Sequence, residues 1–325
     1  MSKLKPLISL FFGLAAAAAY GLAARWLVGT EANGALLGTL TIAFFLFVPL
    51  AVGALTAFFA PAQIRRSWLY AIFGPWISCL IFAALAALFS LEAWICVVMA
   101  LPIFLVVASI GGLLMKVLMP VDKANQSQTG VMGALLVLPF LVLPLEQQLP
   151  NPDSIRVVHS QIEVAASPAE VWSQITRVAE INEAERPWSF FHTAGLPRPR
   201  YATLTHDGVG GVRHGQWEDG LTFVETITDW QPNRAYTMRM EADTRHLTAS
   251  PLPLQQIGGT YFDVIEGRYE IEPVAEGRVI LHFTSTHRLS TRFNFYGGWW
   301  TDFFMRDVQN YILRIVKARA EGDRV

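Results

Sequence analysis

Long apolar stretches that are almost free of charged residues fill the first 150 residues, and they constrain the fold more than any other feature. A helix needs roughly 20 apolar residues to cross about 30 Å of hydrocarbon. Residues 1–148 are therefore predicted to form a transmembrane region of about five helices. The predicted segments are 7–28, 35–59, 68–89, 93–116 and 130–148.

The first and last of these segments each leave an alternative open. Lys3, Lys5 and the Ala15–Ala19 tract resemble a secretory signal peptide, although we favour an uncleaved first span. Within 130–148, the apolar run Val131–Leu145 has 15 residues, two of them proline, and is about 22 Å long as a helix. This segment either spans the membrane, which we favour, or re-enters it.

Basic residues between the apolar segments predict the orientation in the membrane. If the helices alternate in direction, only Arg25 lies near a membrane end on one side. The other side receives Lys3, Lys5, Arg65, Arg66, Lys116 and Lys123. Lys and Arg accumulate on the cytoplasmic side, so the N-terminus is predicted to be cytoplasmic in a bacterial inner membrane. Five spans then put the second half outside, in the periplasm, whereas four would leave it in the cytoplasm.

The second half of the chain has the composition of a soluble domain. Residues 1–150 contain 7 Lys/Arg and 4 Asp/Glu, whereas residues 151–325 contain 18 and 22. The net charge of −1 gives no basic field that would attract nucleic acid. Both cysteines, Cys79 and Cys96, lie in the apolar half, so the second half has no thiolate metal site. We expect a linker at 149–154 and one domain at 155–320.

The pattern within 155–320 predicts an α+β fold. Residues 156–164 alternate as a strand, and Ser167-Pro168-Ala169-Glu170 is a capping box that begins a helix. Six further strands are predicted between residues 201 and 289, with turns at Asp207-Gly208 and Asp219-Gly220. An amphipathic helix over Trp299–Ala320 ends the domain, with Gln309 on its polar side and Gly297-Gly298 as a flexible entry.

These elements resemble the helix-grip superfamily of START-like, polyketide cyclase and birch-pollen-allergen-like proteins, also called SRPBCC. Three segments carry the resemblance. They are SQIEVAASPAEVWSQITRVAEI, GVGGVRHGQWEDGLTFVETITDWQPNRAYTMRM and the final helix after STHRLSTRF. The resemblance implies a curved antiparallel sheet wrapped around the C-terminal helix, with a cavity for a hydrophobic ligand between them. It does not extend to the membrane half.

Glu225 is the main candidate for a site in this cavity. It shares strand parity with Phe223 and Ile227, so its carboxylate is predicted to face inward, with Arg239 or Arg213 as a partner. The alternatives are a ligand anchor, a general acid or base, a structural ion pair, or a charge at the edge of the sheet. The residues predicted to bind the ligand are Glu225, Phe223, Ile227, Arg239, Trp217, Phe304 and Tyr311.

Two loops are unusually apolar and are predicted to form a portal or a membrane contact, or else lids over the core. One contains Trp188, Phe190, Phe191 and Leu196, and the other is Leu247–Ile257. Neither a metal nor a cofactor is predicted, because no histidine spacing fits zinc and no phosphate-binding loop occurs.

The sequence supports two functional hypotheses. A third alternative is a scaffold whose cavity is filled by its own side chains. The favoured hypothesis is a membrane-anchored binder or carrier of a hydrophobic or amphiphilic small molecule, with the lipid bilayer as a second partner. The other is an enzyme of the cyclase, aromatase or dehydratase kind, which needs an acid or base in the cavity. No catalytic residue is assigned.

Overall fold

A computed structural model describes residues 4–28, 41–118, 126–247 and 257–322. The chain divides into two units, Met1–Asn151 and Pro152–Val325. The described part of the first unit is helical. A π-helical turn at Ala43–Phe47 leads directly into the second helix. The helices are α1 (Leu4–Val28), α2 (Val48–Phe58), α3 (Ala62–Arg65), α4 (Trp68–Leu88), α5 (Trp94–Leu118) and α6 (Gln126–Gln147).

Four helical segments are long and apolar enough to cross a membrane, as a membrane protein requires. They are Pro6–Val28, Trp68–Leu88, Trp94–Leu118 and Thr129–Gln147. The predicted segment 35–59 corresponds to a shorter apolar helix, Ala43–Phe58, and residues 35–40 lie outside the described residues. The weak run at 130–148 is therefore one of the long helices.

The short helix α2 packs in the middle of the first unit, where Val48, Ala51 and Val52 are fully buried. Its neighbours include α1, α4, α5 and α6. Glycines allow the backbones of α2 and α5 to meet, since a Cβ added to Gly53 would lie 1.9 Å from the Ala108 carbonyl oxygen. A helix that is buried among other helices in this way is stabilised by contacts with them and needs no surface that faces lipid.

A carboxylate holds the beginning of this short helical segment. The backbone N–H groups of Ile42 and Ala43 donate to the two oxygens of Glu146, at 2.7 and 2.9 Å. The first N–H groups of a helix have no partner within it, and the helix dipole favours a negative charge there. Glu146 near the end of α6 therefore caps the segment that leads into α2.

The second unit is an antiparallel sheet of seven strands with a long C-terminal helix, which confirms the helix-grip fold. The strand order is β1-β7-β6-β5-β4-β3-β2. The strands are β1 (Asp153–Val164), β2 (Pro199–Leu204), β3 (Val212–Trp217), β4 (Thr222–Gln231), β5 (Ala235–Asp243), β6 (Phe262–Ala275) and β7 (Arg278–Ser290). The helices are α7 (Pro168–Thr176), α8 (Phe190–Thr193) and α9 (Asn294–Ala320).

Local signals place the helices of this unit. The predicted capping box forms, because Ser167 Oγ accepts from the Glu170 N–H and the Ser167 N–H donates to Glu170. Helix α9 begins at Asn294, five residues earlier than predicted, and Asn294 Oδ1 accepts from the Thr291 N–H at 2.8 Å. Gly298 lies inside this helix rather than at a flexible entry.

Gly298 leaves room for the side chain of Arg156. A Cβ added there would lie 2.5 Å from Arg156 Nη1. The guanidinium of Arg156 lies over this turn of α9 and donates from Nε to Asp302 at 2.7 Å. The absent side chain therefore leaves room for the Arg156–Asp302 ion pair.

Candidate functional site

A cavity of about 290 Å³ lies between the sheet and helix α9. Its wall is mostly apolar and is built by alternate residues of the strands and by one side of α9. The apolar lining includes Trp217, Phe223, Met238, Met240, Val264, Phe283, Phe304, Met305, Val308 and Ile312. A largely preformed apolar cavity with few polar groups is typical of small-molecule sites.

The main polar feature of the wall is an ion pair between two neighbouring strands. Arg213 on β3 and Glu225 on β4 are direct register partners and are 8% and 3% exposed. Arg213 Nη1 donates to Glu225 Oε2, and Arg213 Nε donates to the Thr176 carbonyl at 3.2 Å. Among the described residues, Glu225 Oε1 accepts no hydrogen bond. Both side chains line the cavity.

Burial and charge act in opposite directions on this pair. Burial raises the pKa of Glu225, and the adjacent Arg213 guanidinium opposes that shift. Gly215 gives the carboxylate its space, since an added Cβ there would lie 2.9 Å from Glu225 Oε1. The pair has no net charge when both groups are ionised, so it supplies polarity to the wall without a charge.

Tyr269 adds a neutral hydroxyl to the same cavity. Its ring stacks on Phe283 with a centroid distance of 4.1 Å, and burial raises the pKa of the phenol well above its ordinary value. Within the described part of the chain the hydroxyl makes no hydrogen bond. Because its pKa is raised, the phenol stays protonated and uncharged.

Gln309 lines the cavity and fixes helix α9 against the sheet. Its amide accepts from Ser160 Oγ at 2.8 Å and donates to Ser285 Oγ at 2.7 Å and to the Val158 carbonyl at 3.1 Å. The side chain is fully buried. Its predicted position on the polar side of the helix was wrong, because a glutamine whose amide is fully hydrogen-bonded is stable among apolar residues.

The predicted ligand-binding residues occupy three different environments. Trp217, Phe223, Glu225 and Phe304 line the cavity. Ile227 is part of the core beside α7, and Tyr311 is buried against His192 with a ring-centroid distance of 4.3 Å. The structure brings the first four together and places Ile227 and Tyr311 behind the wall.

Arg239 lies on the other face of the sheet, so its predicted pairing with Glu225 was wrong. It is exposed on β5, whereas its neighbours Met238 and Met240 line the cavity. Side chains alternate between the two faces along a strand. Glu225 is opposite Met240 in the register, and Arg213 on the other neighbouring strand is its partner.

The sequence reasoning did not single out Tyr269, Met238 or Met240. The alternation of side chains along β5 and β6 was the available signal. It is ambiguous, because both faces of these strands carry apolar residues and the sequence does not say which face is turned toward the cavity. Of the apolar loops, Phe191, Leu196 and Ile257 line the cavity. Residues 248–256 lie outside the described residues.

Comparison with solved structures finds similar chains over the second half. A START superfamily protein from Mycobacterium smegmatis is 13% identical, with a TM-score of 0.35, over 51% of this chain and 97% of that chain. The Zhui aromatase/cyclase from Streptomyces sp. R1128 is 16% identical, with a TM-score of 0.31, over 52% and 94%. Norcoclaurine synthase from Thalictrum flavum is 15% identical, with a TM-score of 0.30, over 50% and 87%.

A search of curated proteins finds no match. A family model described as polyketide cyclase / dehydrase and lipid transport matches residues 156–322, which is half of the chain and contains the whole cavity. The chain therefore belongs to the polyketide cyclase / dehydrase and lipid transport family.

Proposed function

We propose that this protein is anchored in a membrane and binds or carries a hydrophobic or amphiphilic small molecule in the cavity between the sheet and α9. The observation that carries the proposal is a mostly apolar cavity whose only charged lining residues, among those described, are the ion pair Arg213 and Glu225, and whose other polar residues, such as Tyr269, carry no charge. An apolar ligand gains free energy by leaving water for such a cavity. The family's description, which includes lipid transport, supports the same function.

The charges of the wall favour a ligand whose polar group is neutral. Arg213 and Glu225 compensate each other, and Tyr269 is an uncharged donor. A charged head group in this apolar surrounding would have no counter-ion and would lose its hydration. The ligand class is therefore an apolar body that carries a hydroxyl, carbonyl or amide group.

The membrane arrangement is also part of the proposal. The four long apolar helices support an integral membrane protein. The excess of Lys and Arg on one side of the helices supports a cytoplasmic N-terminus in a bacterial inner membrane. With α2 as a further crossing, the binding domain lies on the periplasmic side, and an amphiphile then passes between bilayer and cavity over a short distance.

Native mass spectrometry of the full chain, released from nanodiscs, tests ligand binding. We expect wild type to retain a small apolar molecule that Val308→Phe does not retain, because Val308 lines the cavity and a phenyl ring would fill part of it. Val157→Phe is the control, since Val157 is exposed on β1. Equal ligand retention by wild type and both variants would contradict binding in this cavity.

A cyclase- or dehydratase-like enzyme is the second candidate, because a buried carboxylate and a phenol both line the cavity. Glu225 and Tyr269 are the groups that would exchange a proton with a substrate. Incubation of the recovered ligand with wild type and with Tyr269→Phe separates the two functions. An enzyme converts the ligand to a new mass and loses that conversion in the variant, whereas a carrier returns the ligand unchanged.

A further inference from the structure

Helix α9 has a row of exposed aromatic side chains on the side away from the cavity. Phe295, Trp299 and Phe303 are 79%, 63% and 41% exposed. They are spaced four residues apart, so they lie on one face of the helix. We call these three residues the aromatic stripe. Large exposed apolar groups on one surface of a soluble domain mark an interaction site.

The side chains of the stripe pack against further aromatic side chains. Trp299 packs against Trp300 with ring centroids 5.0 Å apart, and Phe303 packs against Phe304 at 5.6 Å and against Phe190 at 5.4 Å. Phe304 in turn lines the cavity. The same turns of α9 therefore present aromatic rings outward and form the cavity wall inward.

The start of the stripe lies beside the point where the chain enters this domain. Asn294, the residue before Phe295, donates from Nδ2 to the Pro152 carbonyl at 2.6 Å. The next residue, Asp153, accepts from Ser290 Oγ at 2.5 Å. Pro152 and the first residue of the stripe are thus held at the same end of the sheet.

The chain between this point and the last apolar helix is short. Helix α6 ends at Gln147 and β1 begins at Asp153. The five residues 148–152 span at most about 18 Å when fully extended. The segment Thr129–Gln147 of α6 is long and apolar enough to cross a membrane, and a crossing α6 would keep the entry point of the domain within this linker length of a bilayer surface.

The acidic groups next to the stripe are already bound. Asp302 pairs with Arg156, and Asp307 accepts from Ser189 Oγ and from the Phe191 N–H at 2.5 and 2.8 Å. A membrane surface that contains anionic lipid would repel free carboxylates. The charge of Asp302 is therefore compensated by Arg156, whereas Asp307 keeps its charge and is held by two hydrogen bonds.

We propose that Phe295, Trp299 and Phe303 insert into the interfacial region of the lipid bilayer that holds this chain, so that α9 docks on the membrane. Aromatic rings prefer the headgroup level of a bilayer. The inference goes beyond the proposed ligand binding, since it needs the membrane helices but not a ligand in the cavity.

The test uses the full chain at one copy per nanodisc, in phosphatidylethanolamine and phosphatidylglycerol. Cys79 and Cys96 are replaced by alanine, and one new cysteine, Trp299→Cys or Val274→Cys, carries a fluorophore that reports water access. Val274 is the matched control, because it is an exposed apolar residue near the end of β6, at the opposite end of β7 from Asp153. Iodide in the buffer then quenches each label according to its exposure.

We expect iodide to quench the label at 299 several-fold less than the label at 274. Equal quenching at both positions would overturn the proposal. Protection of 299 that appears in detergent and grows with protein concentration, but is missing in single-copy discs, would also overturn it, because the stripe would then bind a second copy of the chain.

A measurement without cysteine changes covers the case in which the labelled variants do not fold. The difference in fluorescence between wild type and Trp299→Phe isolates the emission of Trp299. In discs with brominated acyl chains this difference should decrease strongly. An unchanged difference would place Trp299 in water and overturn docking.

Discussion

Arg213 and Glu225 face each other across β3 and β4, both almost fully buried, with the guanidinium donating to the carboxylate inside a mostly apolar wall. Two charges in such a place are costly to remove from water and are tolerated because each satisfies the other. Buried ion pairs often stabilise a fold no more than hydrophobic residues of similar size do. We therefore propose that the pair serves ligand binding rather than folding.

Glu225→Gln should destabilise the protein by about 3–5 kcal/mol, because the buried Arg213 loses its counter-charge. The double variant Arg213→Met/Glu225→Leu should recover most of this loss, since it removes both charges. Thermal unfolding of the full chain in detergent measures both effects. Native mass spectrometry of the double variant should then show weaker retention of the ligand. A double variant less stable than Glu225→Gln, or one with unchanged retention, would contradict this role for the pair.

Local rules in the sequence predicted much of the second unit. The Ser167–Glu170 capping box forms as expected, and the Asp219-Gly220 turn has positive φ at both residues, as tight turns between strands require. The inward parity of Glu225 follows from the alternation along β4. Its partner was not predictable, because the choice between Arg213 and Arg239 depends on the register of three strands.

Gln309 shows a limit of the periodicity argument. Its hydrogen bonds go to Ser160, Ser285 and the Val158 carbonyl, which are distant in the sequence. A helical pattern read alone assigns a glutamine to the solvent side. Only the tertiary structure brings the three partners together, so no local signal could have identified this buried residue.

Gln309→Leu should lower the free energy of unfolding by about 1–3 kcal/mol for each buried partner left unsatisfied. The side chain is of similar size, so the loss reflects hydrogen bonds rather than a cavity. Asn310→Leu, at the next and half-buried position of α9, is the matched control and should change stability little. Denaturant unfolding followed by tryptophan fluorescence measures the difference. Equal effects of the two substitutions would show that the Gln309 network is not stabilising.

Gly53→Ala tests the packing of the membrane helices. A Cβ at Gly53 would lie 1.9 Å from the Ala108 carbonyl oxygen, so α2 and α5 would have to separate. Overpacking of this kind costs about 1–3 kcal/mol or more. Gly133→Ala is the control, because nothing lies within 4 Å of the added Cβ. The yield of monodisperse protein after heating in detergent should fall for Gly53→Ala alone, and similar yields would contradict the contact.

Buried neutral histidines should make the protein less stable in acid. Burial lowers the pKa of His192 to about 4 and that of His287 to about 4, whereas an unfolded histidine titrates near 6.5. Between these values the unfolded state binds more protons than the folded state, so stability is full above pH 6.5 and is lost as the pH falls toward 4.

His192→Phe should reduce this loss, since a ring at that position still packs against Tyr311 but cannot be protonated. His287, which lies 3.7 Å from Asp302, should account for part of the remainder. Unfolding midpoints of the full chain at pH 7 and pH 4.5 measure the effect, and His206→Phe, at an exposed position, is the control. If His192→Phe and His206→Phe lose the same stability as wild type between the two pH values, the burial of a neutral His192 does not contribute to the acid sensitivity of the fold.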